Sequence, residues 1–264
     1  MHAMTYTGGA QIRRLPFDAP WTWLAAGWRD LWRAPRLSVF FGAAAAAAGL
    51  LAMFILFGAG AGALAPLLLG GFALAAPVFA LGLYEKSRRI EAGEPLSWKA
   101  VITPNLPRFS TIAYAGLALL LIYLLWIRAG TLLFALFLGQ DFPSVIVGDY
   151  PPLYEFATIA LTRPEGLALL AVGTLVGGAL ALVAFAISAV SLPMMLERDI
   201  DVLTAMSLSV RAVTQNPGAM LNWAWIIALM LVLSMALGYI GLVIAFPWIA
   251  HASWAAYRDV VRFG

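Results

Sequence analysis

The stretch Ser191–Met220, SLPMMLERDIDVLTAMSLSVRAVTQNPGAM, sets the pattern for the whole chain. An apolar run passes through Pro193 and ends in a charged junction, Glu197-Arg198-Asp199-Ile200-Asp201. A short amphipathic segment follows over Val202–Val213, with Asp201 placed to cap it. Asn216-Pro217-Gly218 then breaks the chain, and a new apolar run begins. This order describes a helix leaving a membrane, a helix lying in the interface, and a helix going back in.

Composition supports that reading. Of the 264 residues, 63% are hydrophobic and 11% charged, where a soluble domain carries about 25% charged residues. A surface that apolar needs lipid as its solvent. The chain has no cysteine, which excludes disulfides, thiolate nucleophiles and Cys-ligated metal centres. Arg13-Arg14 is followed by Leu15-Pro16-Phe17-Asp18 and not by an apolar run, so the start does not read as a signal peptide.

Outward from the opening stretch, residues 1–15 read as a disordered tail and 16–264 as one membrane domain. Pro20–Ala34 carries Trp21, Leu24, Trp28, Leu31 and Trp32 at helical spacing, with Arg29, Asp30 and Arg33 elsewhere. Trp on one face and Arg on the other predict a helix in the headgroup layer. The expected spans are about 37–57, 63–84, 110–138, 165–195, 219–237 and 241–257. The third is ~43 Å long as a helix, more than the ~30 Å hydrocarbon core. It carries Arg128 ~27 Å from its start, near the far interface, where the side chain snorkels. Gly173 and Gly177 form a GxxxG pair that predicts close packing. Gln140–Arg163 reads as a long loop with Asp141, Asp149, Glu155 and a turn at Tyr150-Pro151-Pro152. With Glu165 these acids match no metal spacing.

With the N-terminus inside, 14 of the 16 lysines and arginines fall on the inner side, Arg163 outside and Arg128 in a span. The positive-inside rule then gives six spans with both ends cytoplasmic. Trp98, Trp223, Trp225 and Trp254 are expected at the inner interface and Trp126 at the outer one. The architecture expected is an all-α polytopic membrane bundle of six transmembrane helices in three hairpins, with cytoplasmic interfacial amphipathic helices. Each hairpin is led by an amphipathic segment and a proline: Arg29 lies six residues before Pro35, and Arg211 six before Pro217. The hairpins read as a threefold repeat, although all inner membrane exits share such features.

The chain resembles a known family over nearly all of its length after residue 12. The residues that carry the resemblance are Pro164-Glu165-Gly166-Leu167, Ser191–Asp201, Asn216-Pro217-Gly218 and the ending Pro247, His251, Trp254, Tyr257-Arg258-Asp259. The opening Pro20-Trp21 and Ala25–Leu31 fit as well. They are similar to the bacterial integral membrane family catalogued as domain of unknown function 2189. The resemblance implies a bacterial inner-membrane protein and no particular activity. Some members carry names suggesting a cytochrome oxidase subunit. A haem–copper site needs several histidines in its spans, and this chain has only His2, in the tail, and His251.

The candidate functional residues are Arg128, His251, Arg258, Glu197, Asp199 and Asp201. His251 falls on one helical face with Pro247, Trp254 and Arg258, and reads either as a proton-sensing or ligand group or as a satisfied histidine near the interface. Arg128 could contact a lipid phosphate. Glu85, Glu197, Asp199 and Asp201 lie beside arginines at inner exits and read as caps and ion pairs, or as a headgroup or partner site. No phosphate loop, nucleophile elbow or zinc motif is present, so no enzyme activity and no cofactor are expected. The expected partners are the lipid bilayer, anionic headgroups at the cytoplasmic face and another membrane protein; nucleic acid is not among them. The function expected is an accessory or scaffold, with a small-solute or lipid transporter or channel as the alternative.

Overall fold

Proline marks where the long helices begin. Its missing N–H costs nothing in the first turn, where no intrahelical acceptor is available. The computed structural model describes residues 9–104, 106–107, 109–142 and 151–263. In it α1 (Ala19–Trp32) has Pro20 in its first turn, and α2 (Pro35–Gly58) opens on Pro35 after Ala34 in the left-handed region at φ 59°. Further on come α3 (Ala65–Phe79), α4 (Leu81–Ala92), α5 (Trp98–Ile102), α6 (Phe109–Leu138) and α7 (Leu153–Thr162). The rest is α8 (Pro164–Ser188), α9 (Ser191–Glu197), α10 (Val202–Gln215), α11 (Pro217–Ala236) and α12 (Leu242–Val260).

The described residues are all-α apart from one small sheet. Among them four stretches are long and apolar enough to cross a membrane: α2, α6, α8 continued through α9, and α11. The second and sixth expected spans differ. The second divides at Ala80 into α3, of 15 residues with Pro77 inside it, and α4, which carries the charged residues onward as helix. The sixth, α12, buries 13 of its 19 residues, so protein and not lipid surrounds it. It lies among α1, α2, α4, α9 and α11. A helix enclosed this way can carry His251, Arg258 and Asp259 without exposing them to hydrocarbon.

Packing also departs from three like hairpins. Helix α6 packs on α8 and α11 on α12, but α2 packs chiefly on α12 and not on α3. Helix α1 is not only a surface helix. Trp23, Leu24, Gly27 and Leu31 are buried against the bundle, and a Cβ added at Gly27 would stand 2.5 Å from the Ala252 backbone nitrogen. Trp21, Trp28 and Trp32 remain exposed.

Three further expectations are corrected. Ala10–Ile12, expected in the disordered tail, forms β1 and pairs antiparallel with β2 (Val261–Phe263); residues 1–8 lie outside the described residues. The Gln140–Arg163 loop contains α7, which turns Phe156 and Ala160 inward; Asp149 and Tyr150 lie outside the described residues, as does Arg108. Trp223 and Trp254 are buried in the bundle and do not lie at its surface. Trp126 is half-buried and donates to the Leu67 carbonyl at 2.7 Å. Trp254 and Trp126 find both packing and an acceptor inside the bundle, and Trp223 packs edge-on against Trp23.

Candidate functional site

At one end of the bundle, α1, α2, α4 and α12 meet around a buried charge. Helix α4 places Lys86 where its side chain is fully enclosed. The Lys86 ammonium donates to the carbonyls of Asp30 at 2.9 Å and Leu31 at 3.2 Å, and to Ser38 Oγ at 2.6 Å. Those carbonyls belong to the last turn of α1, the negative end of its dipole, so the lysine acts as a cap supplied from another helix.

The chain of bonds continues. Ser38 Oγ lies 2.9 Å from His251 Nε2, Ser87 Oγ lies 2.8 Å from His251 Nδ1, and Ser87 Oγ donates to Asp30 Oδ2 at 2.7 Å. A hydroxyl has one proton to give. Ser87 gives its proton to Asp30, so it accepts from His251, which carries its hydrogen on Nδ1. Nε2 is then a lone pair that accepts from Ser38, whose oxygen accepts from Lys86. Every donor has an acceptor, and the direction runs from ammonium to carboxylate with a neutral imidazole between them. Burial pushes the Asp30 carboxyl up from its ordinary range, while the bond from Ser87 and the Lys86 charge oppose that. Burial pulls Lys86 down to about 8, against the Asp30 charge.

A Ser–His pair in an open cleft would suggest a nucleophile. Here Ser38, His251 and Lys86 are each 0% exposed, so no substrate can reach the pair. His251 takes the place of a satisfied core histidine.

A second cluster sits beside the first. Arg258 on α12 donates to Glu91 of α4 at 3.0 Å and to Glu197 of α9 at 3.1 Å. Tyr257 donates to Glu197 at 2.5 Å and Trp254 to Glu91 at 3.1 Å. The Arg198 guanidinium stacks over Phe263, 4.5 Å from the ring centre. Glu85 binds Arg88 at 2.7 Å and Arg89 at 2.6 Å. Arg88 also reaches Glu94 and holds that carboxyl below its usual range. Asn216 ties down the segment before α1: its Oδ1 accepts from Leu15 N at 2.8 Å and its Nδ2 donates to Arg13 O at 2.9 Å. Asp259 accepts from Arg13 and, at 3.0 Å, from Trp23 Nε1.

The candidate residues thus separate. Glu197 and Arg258 come together, with His251 about two turns before Arg258 on α12. Asp201 caps α10 by accepting from Thr204 N at 2.9 Å, and the Thr204 hydroxyl and then its backbone N–H hold the carboxyl below its usual range. Asp199 is exposed between α9 and α10, and Arg128 is exposed on α6 far from both clusters. Asp30, Ser38, Lys86, Ser87 and Glu91 escaped the sequence reading. Ser38 was the available signal, a hydroxyl near the start of an apolar helix and in need of a partner.

The middle of the bundle is different. A cleft of about 1180 Å³ opens between α8 and α11, backed by α3, α6 and α12. Among the described residues its lining has no Asp, Glu, Lys, Arg or His. Gly177 packs closely on Trp126, as its GxxxG spacing predicts, but Gly173 and Gly178 line the cleft, and a Cβ on either would meet nothing within 4 Å.

No curated protein and no solved structure matches the chain. A family model does match, over residues 64–197, from the start of α3 through α9. That stretch is half of the chain, and by it the chain belongs to the family described as Predicted integral membrane protein (DUF2189).

Proposed function

We propose that this integral membrane protein is a non-enzymatic accessory or scaffold of the bacterial inner membrane that holds anionic lipid at its cytoplasmic face. In this reading α3 and α12 complete six crossings, and both ends of the chain are cytoplasmic. The observation that carries the proposal is the outer face of α1. Trp21, Trp28 and Trp32 lie along one exposed stripe, with exposed Arg29 and Arg33 beside it and Arg36 just beyond. Indole rings settle at the headgroup level, and each basic residue near an anionic surface contributes about 1 kcal/mol. Among the described residues Arg29, Arg33 and Arg36 form no salt bridge, which leaves these arginines for lipid.

The test is lipid retention on purification. Protein from vesicles of phosphatidylcholine mixed with phosphatidylglycerol is expected to keep phosphatidylglycerol above its bulk share, and Arg29→Ala with Arg33→Ala is expected to remove that excess. No enrichment in the parent protein would overturn the headgroup reading. Co-purification of a stoichiometric protein would make that protein the partner instead.

Transport is the second reading, and the cleft is the observation that favours it. Neither Arg128 nor His251 lines the cleft, and it offers no charge to a polar solute. Any cargo would therefore be hydrophobic, and movement of a fluorescent phospholipid between the leaflets of sealed vesicles is the measurement that checks it.

A further inference from the structure

We propose that the cleft between α8 and α11 is a binding site for the acyl chains of a bilayer phospholipid, which enter sideways between the two helices. The inference is separate from the headgroup reading of α1 and rests on the cleft's shape and chemistry.

Shape comes first. On α8 the lining runs from Leu169 to Ser188, a rise of ~28 Å, close to the ~30 Å hydrocarbon thickness. The cleft therefore follows the bilayer through its apolar depth. Its volume of about 1180 Å³ exceeds the roughly 300–1,000 Å³ of ordinary small-molecule pockets. Its length and its lack of charge match extended hydrocarbon chains.

Chemistry narrows the occupant. Three polar side chains along the cleft are already bonded. Ser188 donates to the Ala184 carbonyl at 2.7 Å, Thr131 to the Arg128 carbonyl at 3.0 Å, and Trp126 to the Leu67 carbonyl at 2.7 Å. The others are the neutral side chains of Tyr84 and Ser253, at one end, and of Thr174 and Trp225. A ligand that carries a charged group inside would find no opposite charge there and would lose its hydration. A phospholipid keeps its polar part outside and offers only hydrocarbon. Filling the space also restores the dispersion contacts that Gly173 and Gly178 leave unmade.

The experiment uses the full chain in vesicles of phosphatidylcholine and phosphatidylglycerol doped with a phosphatidylcholine that bears a diazirine on one acyl chain. After illumination, labelled peptides are mapped. The expected result is several-fold more label on the cleft walls of α8 and α11 than on the outward face of α6 at Leu121 and Leu125, both exposed. Gly173→Leu with Gly178→Leu is expected to remove the excess and leave the label at Leu121 and Leu125 unchanged. Ala228→Leu, on the opposite wall, provides the same test should the glycine pair fail to fold. Equal labelling of cleft and outer face would overturn the proposal, since the cleft would then hold only passing lipid. So would an excess that survives both fillings, an excess removed by competition with an isoprenoid quinone, or a Gly178→Cys variant that cross-links two copies.

Discussion

The end of the bundle where α1, α4, α9 and α12 meet and the middle where α3, α6, α8 and α11 surround a cleft use the same residue types to opposite effect. Where α1 and α2 pack on α12, Gly27 and Gly42 admit its backbone so closely that any side chain would collide. In the middle, Gly173 and Gly178 admit nothing. One end is fixed by bonds that each need their partner. The other is defined by space. The lesson is that a glycine in a membrane helix signals either contact or room, and only its neighbours say which.

Breaking the fixed end is expected to have the largest effect. Lys86→Met removes the charge that offsets Asp30 and leaves two carbonyls and a hydroxyl without their donor. The expected cost is about 3–5 kcal/mol, read as an earlier unfolding midpoint in a denaturing-detergent titration. An unchanged midpoint would show that the network does not hold this end. The same lysine gives a pH dependence. Its folded value of about 8 lies below its ordinary 10.5, so between those values the unfolded chain binds the extra proton. Lys86's contribution to stability therefore rises with pH through that window, and the rise is expected to vanish in Lys86→Met.

Gly42→Val comes next. The Cβ would press on the Val243 carbonyl, and overpacking of this kind costs about 1–3 kcal/mol; melting temperature reports it. Asp201→Ala removes the α10 cap for about 1 kcal/mol, visible as faster amide exchange at Thr204. Gly178→Leu should change stability by less than about 0.5 kcal/mol, because its side chain enters the cleft. A loss as large as that of Gly42→Val would erase the distinction between the two regions.

Much of the fold could be read in advance where one local rule acts alone. The α10 helix, its Asp201 cap, the break at Asn216 and the membrane class all follow from short-range pattern. The rest depends on what a residue meets far along the chain. Lys86 stands among Glu85, Arg88 and Arg89, and by spacing alone it is one more inner-face cation. Only the approach of the α1 carbonyls and Ser38 makes it a core residue. His251 was visible as the one histidine in an apolar helix, but Ser38 and Ser87, which bind it, lie 213 and 164 residues away. The cleft left almost no trace, since the glycines beside it spell the same motif that marks close packing.

The burial of α12 has a consequence in time. A ribosome adds about 5–20 residues per second, and Trp23 waits through 236 positions before its partner Asp259 exists. For something like 10–50 s on that rate, α1 and α2 stand in the membrane without the helix they close upon, and Asp30 and Lys86 face each other without His251. The early helices need a holding partner during that interval, lipid or insertion machinery. Quality control could test the finished molecule at one point: whether α12 has arrived.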